Sequence, residues 1–249
     1  MMSEQQSSKP STSTSKALAS QPAPYVSQLE ALLREQRDAA NAVKMEAYMK
    51  NQFPFLGVRT PERNALLRAF FKEYGIPEGP ALTVTVKQLW SLPEREFQYV
   101  AMIMLDKRLK SLSATDLPLL EELIVTKGWW DTVDLLASHQ VGAVLARHLE
   151  LREEMTSKWI QSDSMWLQRT AILFQLGYKA RTDTALLFSL CRQLGSDERF
   201  FIRKAIGWAL REYGKTDEAA VRQFVAEAGT GLAPLSVREA LKYMDRSRK

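Results

Sequence analysis

From Tyr25 onward the chain repeats its apolar residues at intervals of three and four, and almost nowhere at intervals of two. Leu29, Leu32 and Leu33, and later Leu66, Leu67, Phe70 and Phe71, each form one stripe on a helix of 3.6 residues per turn. A chain patterned this way has nothing from which to build a sheet, so the fold class is all-α. Helix boundaries are marked as well. Thr60-Pro61 places a capping residue before a first-turn proline, and Leu92-Pro93-Glu94 follows the same logic with acids in the first turn. Asp163, Thr182, Asp197, Asp217 and Ser236 each precede a periodic run, while Gly214 and Gly229 stand where helices should end. Only Leu82-Thr83-Val84-Thr85-Val86 alternates like a strand. A single strand has no partner, so this stretch is expected to be a loop leading into a short helix that ends near Trp90.

Short helices joined by brief loops bury little surface individually, which makes an internal repeat the natural solution. One is present. Asp163-Ser-Met-Trp-Leu-Gln-Arg169-Thr-Ala171-Ile172 aligns with Asp197-Glu-Arg-Phe-Phe-Ile-Arg203-Lys-Ala205-Ile206 at a spacing of 34 residues. Ala137 lies 34 residues before Ala171, and Ala101 lies 36 before Ala137. The small residue lets neighbouring helices approach, and the Asp and Arg suit ladders between stacked hairpins. The pattern resembles a HEAT repeat, and predicts a curved solenoid whose concave face carries the binding site.

Composition removes several functional classes. One cysteine, Cys191, excludes an internal disulfide and a CxxC-type zinc site, and it is expected to be a buried small hydrophobe. Two histidines, His139 and His148, fit no zincin spacing. Neither a GxGxxG nor a GxxxxGK[ST] run occurs, so no dinucleotide fold or P-loop is signalled. No apolar stretch approaches the roughly 18 residues of a membrane span. Residues 1–23 are rich in Ser, Thr and Pro and lack aromatics, and are expected to form a disordered leader without the apolar core of a secretory signal. Residues 24–245 then form the repeat domain, and 246–249 a basic tail. The expected setting is the cytoplasm, at the nucleoid when acting if the source is bacterial.

Two places carry unusual chemistry. Trp129-Trp130-Asp131-Thr132-Val133-Asp134 opens a helix with adjacent large aromatics, which lie about 100° apart and cannot both enter one core. Asp134 follows Trp130 by four residues, on the same face. Ring and carboxylate together could receive a cation; equally, Asp134 could pair with a basic neighbour in a repeat ladder. Further on, residues 163–215 hold nine basic against five acidic groups, among them Arg169, Arg203, Lys204, Arg211 and Lys215. Trp166, Phe200, Phe201 and Trp208 are interleaved with them. That mixture suits contacts to nucleic acid, although a solvated charged face over core aromatics would look the same.

Six ordered motifs carry a resemblance. They are Tyr48-Met49-Lys50-Asn51; Phe55-Leu56-Gly57 with Thr60-Pro61-Glu62-Arg63; Leu92 to Gln98; Glu121 to Asp131; Trp166-Leu167-Gln168-Arg169; and Ala205-Ile206-Gly207-Trp208 with Leu210-Arg211-Glu212-Tyr213. Between about Tyr25 and Tyr243 the sequence resembles the AlkD family of DNA glycosylases. The resemblance implies HEAT-like repeats and hydrolysis of the N-glycosidic bond of N3- and N7-alkylated purines in duplex DNA, by a monomer without metal or cofactor. It implies Asp134 as the catalytic carboxylate, Trp130 and Trp208 flanking the lesion, and Tyr48 at the cleft edge. Arg169 is implied to contact DNA beside the carboxylate, with Phe200 and Phe201 near the groove; Arg211, from the basic run, is expected to join them in binding DNA. The alternatives are a DNA-structure binder of the same fold without chemistry, and a protein-binding solenoid, which would need an apolar or acidic face.

Overall fold

The computed structural model describes residues 17–242 and Met244, and all of the regular structure among them is helical. The expected basic tail and most of the expected leader lie outside the described residues. Of the leader's described residues, Ala17 and Leu18 are helical, and Pro22 and Ala23 open α1 (Pro22–Arg34), in which Tyr25, Leu29 and Leu33 are fully buried. The chain divides into two compact units, meeting at Arg108 and Leu109.

The first unit contains α1, α2 (Ala39–Tyr48), α3 (Thr60–Tyr74), α4 (Gly79–Ser91) and α5 (Arg95–Lys107). Helix α4 corrects the expectation for residues 82–86, which are helical throughout. Gly79-Pro80 starts the helix, and Leu82, Thr85, Val86 and Leu89 bury one face at helical spacing. The β-branched residues lower helix propensity by only a few tenths of a kcal/mol each, which one buried face readily outweighs. The loop after α2 is held by Glu96. Its carboxylate accepts the backbone N–H groups of Leu56, Gly57 and Val58 at 3.0, 2.9 and 3.2 Å. Burial pushes the Glu96 carboxyl up, and those three N–H bonds oppose the shift. Gly57 has φ +89°, and a Cβ there would stand 2.0 Å from the Asp38 carbonyl oxygen, so only glycine lets α2 pack so closely.

The second unit runs through α6 (Leu117–Val125), α7 (Trp130–Leu135), a π-helical turn (Leu136–Val141), α8 (Gly142–Arg147), α9 (Arg152–Ile160), α10 (Met165–Leu173), α11 (Thr184–Gln193), α12 (Phe200–Gly214), α13 (Glu218–Ala228) and α14 (Pro234–Leu241). Three helices begin on side-chain caps, with Ser164, Asp183 and Asp217 accepting the N–H of Leu167, Leu186 and Ala220. The first two caps lie one residue beyond the Asp163 and Thr182 expected from the sequence. The repeat is visible in the hydrogen bonds. Arg147 to the Leu112 carbonyl, Trp159 to Glu121, Tyr178 to the Gly142 carbonyl, Arg169 to Asp134 and Ser236 to the Arg203 carbonyl connect residues 33 to 38 apart. Ala137, Ala171 and Ala205, and Ala101 in the first unit, are all fully buried. Cys191 is fully buried as expected, and burial pushes its thiol up to about 12. No helix among the described residues is long and apolar enough to cross a membrane.

Candidate active site

The site is built where α7, α10 and α12 of successive repeats come together. Gly128 sets the entry to α7: a Cβ there would lie 2.5 Å from the Ile124 carbonyl and 2.6 Å from the Trp166 ring, so Trp166 can close over the turn only because no side chain is present. Trp129 then caps α7 from extended backbone and turns into an aromatic cluster, 5.8 Å from Trp166 and 5.2 Å from Phe201. Trp130, next along the chain, turns away from that cluster into an open cleft. The two adjacent tryptophans thus point apart as expected, although the separation comes from the extended backbone of Trp129 before the helix rather than from a helical step.

Asp134 stands one turn after Trp130 and faces the same cleft, with its side chain 15% exposed. Its carboxylate is gripped by Arg169 of α10: Nε donates to Oδ1 at 2.6 Å and Nη2 to Oδ2 at 2.9 Å. Nη1 of the same guanidinium donates to the Phe201 carbonyl, so Arg169 connects α7, α10 and α12. A bidentate fork of this kind fixes orientation as well as charge. Burial pushes the Asp134 carboxyl above the ordinary aspartate value, the Arg169 bonds and charge pull it back, and the nearby Asp131 charge adds a smaller upward push.

The cleft has a volume of about 300 Å³ and is lined by Trp130, Asp134, Arg169, Phe200, Phe201, Lys204, Trp208 and Arg211. Seven of these are the second-unit residues singled out from the sequence. Phe200, 59% exposed, stands at the mouth, while Phe201 is half-buried in the aromatic cluster. Arg169 lines the cleft but is only 4% exposed, with its guanidinium directed at Asp134 and the Phe201 carbonyl. Tyr48, 70% exposed at the end of α2, belongs to the first unit.

Two residues of the cleft environment escaped the sequence argument as site members. Lys204, noted there only as part of the basic run, lines the wall. Glu239 of α14 was not singled out at all; its carboxylate accepts from Arg211 Nη1 at 2.8 Å and lies 3.1 Å from Lys204 Nζ. The one available signal was Gly207, a glycine inside the α12 pattern, which marks a close approach by another element. Other cations of the basic run are engaged locally: Arg203 donates to the Asp197 carbonyl and Lys215 pairs with Glu212.

Fold and site define an all-helical repeat protein with a carboxylate on the floor of an open, aromatic-walled cleft. The chain belongs to a family of that architecture, the DNA alkylation repair enzymes, whose family model matches residues 29–244. Among solved structures it is similar to a predicted DNA alkylation repair enzyme from Enterococcus faecalis, with 33% identity and a TM-score of 0.77, over 84% of this chain and 96% of that one. No curated protein matches it.

Proposed function

We propose that this repair enzyme is a monofunctional DNA glycosylase that releases N3- and N7-alkylated purines from duplex DNA and leaves an abasic site. The observation that carries the proposal is an Asp134 carboxylate that shares one open cleft with Trp130 and Trp208 and is held by Arg169.

The chemistry follows from charge. Alkylation at N3 or N7 gives the purine a formal positive charge, so the C1′–N bond breaks with its electron pair passing to the base, which departs neutral. No general acid is needed. The deoxyribose develops oxocarbenium character, as in glycoside hydrolysis, and a fixed carboxylate stabilises it. Water then adds to C1′ and loses a proton, and Asp134 orients that water. Trp130 and Trp208 meet the cationic nucleotide through ring faces, each worth about 0.5–2 kcal/mol. Arg169 acts through Asp134 as a positioning residue: it keeps a buried carboxylate ionised and pointed into the cleft. The substrate supplies its own leaving-group activation, so the mechanism calls on no metal, cofactor or Schiff-base lysine, and a monomer suffices.

The test is incubation with duplex DNA containing N7-methylguanine or N3-methyladenine, with free base quantified. Release by the wild type and its loss in a folded Asp134→Asn/Arg169→Gln variant support the proposal; the double change keeps the pair neutral and hydrogen-bonded. Absence of release by the wild type overturns it, and retained duplex binding would then identify a DNA-structure binder without chemistry.

A further inference from the structure

The cleft's cationic character is held in check by Glu239. Lys204 and Arg211 line the wall through which a DNA backbone would pass, and both are bonded to the Glu239 carboxylate, at 3.1 and 2.8 Å. Arg169 is likewise bonded to Asp134, so each of the three cations that line the cleft is engaged by a carboxylate.

This arrangement is built rather than incidental. The Glu239 side chain is only 13% exposed, and Arg211 donates a second bond to the Glu239 carbonyl at 3.1 Å. The backbones of α12 and α14 approach at Gly207, where a Cβ would lie 2.4 Å from Glu239 Cβ and 2.9 Å from the Ser236 carbonyl oxygen. One helical turn earlier, the Ser236 hydroxyl donates to the Arg203 carbonyl at 3.0 Å. These contacts fix α14 so that Glu239 meets both cations. Burial pushes its carboxyl up, but the bonds from Lys204 and Arg211, with the charges of Lys204 and Lys242, outweigh this and hold it below the ordinary glutamate value, so it remains an anion near neutral pH.

A carboxylate accepting from a Lys and an Arg occupies the place a phosphate oxygen would take. We propose that Glu239 is a specificity-determining phosphate mimic: it keeps Lys204 and Arg211 from gripping undamaged DNA, and yields them when a backbone phosphate exchanges for it. The inference rests on the proposal that duplex DNA enters this cleft. Its consequence is selectivity. Sequence-independent binding comes from phosphate contacts, so a site that suppresses them leaves recognition to Asp134 and the two tryptophans, which respond to a cationic base.

The experiment is fluorescence anisotropy with labelled undamaged and N7-methylguanine duplexes, titrated at several salt concentrations. The proteins are the wild type, Glu239→Gln, and Glu239→Asp, which retains the charge on a shorter arm should the glutamine variant fail to fold. Glu239→Gln is expected to bind undamaged duplex more tightly at low salt. Its slope of log affinity against log salt should steepen by about 1 to 2, since each newly engaged phosphate adds about 0.9. Its preference for the lesion should fall, and Glu239→Asp should lie between it and the wild type. Equal or weaker binding by a folded variant with an unchanged slope overturns the mimic while leaving the cleft as a DNA site. If no protein of the set binds duplex, both the mimic and the glycosylase proposal fall. Binding by Glu239→Gln alone supports the mimic.

Discussion

Replacing Arg169 with glutamine would leave the Asp134 carboxylate 15% exposed and without its counter-charge. The lost attraction can be bounded: two unit charges about 4 Å apart at an effective dielectric near 20 interact by about 4 kcal/mol. Breaking a buried pair from one side costs about 3–5 kcal/mol, because the remaining ion has neither water nor partner. The bond to the Phe201 carbonyl is weakened as well. We therefore expect Arg169→Gln to lower stability by about 3–5 kcal/mol at neutral pH, a fall in Tm of roughly 10 °C for a unit of this size. The pH dependence has a definite sign. Burial already holds the Asp134 carboxyl above its unfolded value, and removing Arg169 raises it further. A carboxyl raised in the folded state destabilises at pH values above its folded pKa, and the penalty shrinks as pH falls through that value. The deficit relative to wild type should thus narrow on acidification, and adding Asp134→Asn should recover much of it at neutral pH. Thermal melts by circular dichroism across the acid-to-neutral range measure all three proteins. A single variant that melts within about 1 kcal/mol of wild type, or a deficit insensitive to both pH and Asp134→Asn, would refute the buried-pair argument.

Three further outcomes are expected. Trp130→Ala should lower kcat/KM for free-base release about 2- to 30-fold, the equivalent of about 0.5–2 kcal/mol of cation–π contact, and unchanged single-turnover kinetics would remove Trp130 from the site. Gly207→Ala places a methyl 2.4 Å from Glu239 Cβ and should cost about 1–3 kcal/mol in a denaturant titration; a wild-type midpoint would show that α12 and α14 separate more easily than the contact implies. Glycosylase activity should fall as pH drops through the raised Asp134 pKa, placing the acid limb above that of an ordinary aspartate; a limb at or below the ordinary value, after correction for spontaneous depurination, would mean that ionised Asp134 is not required.

Much of the architecture was legible because its cause is local. Apolar spacing and first-turn prolines placed most helix starts to within a residue or two, and the shift from Asp163 to Ser164 as cap reflects two adjacent residues of equal capping ability. Ser236, expected before a helix, instead lies inside α14, which starts on Pro234 and is capped by Ala233. Leu82 to Val86 misled because its Leu and Val residues satisfy both period 2 and, with Leu89, period 3.6; burial against neighbouring helices chose between them. In the site, Trp130 and Asp134 were legible as neighbours on one helix. The Asp134–Arg169 bond was not, since it spans 35 residues and depends on the stacking offset between repeats. A count of basic residues likewise overstated the cationic surface, because Glu239, Glu212 and the Asp197 carbonyl reach their partners only in the fold.

The π-helical turn from Leu136 to Val141 begins two residues after Asp134 and carries one residue more than an α-helical path of the same span. Deleting a residue from an ordinary helix rotates everything beyond it by about 100° and scrambles its faces. Here the surplus is already absorbed locally, so Asp134 on one side and the buried Val144 and Leu145 on the other keep the register of an uninterrupted helix. Shortening this segment by one residue would return it to the α path with both flanks in place. In the terms of chain length, the stretch beside the candidate carboxylate is one at which losing a single residue keeps a register that the same loss in an ordinary helix would destroy.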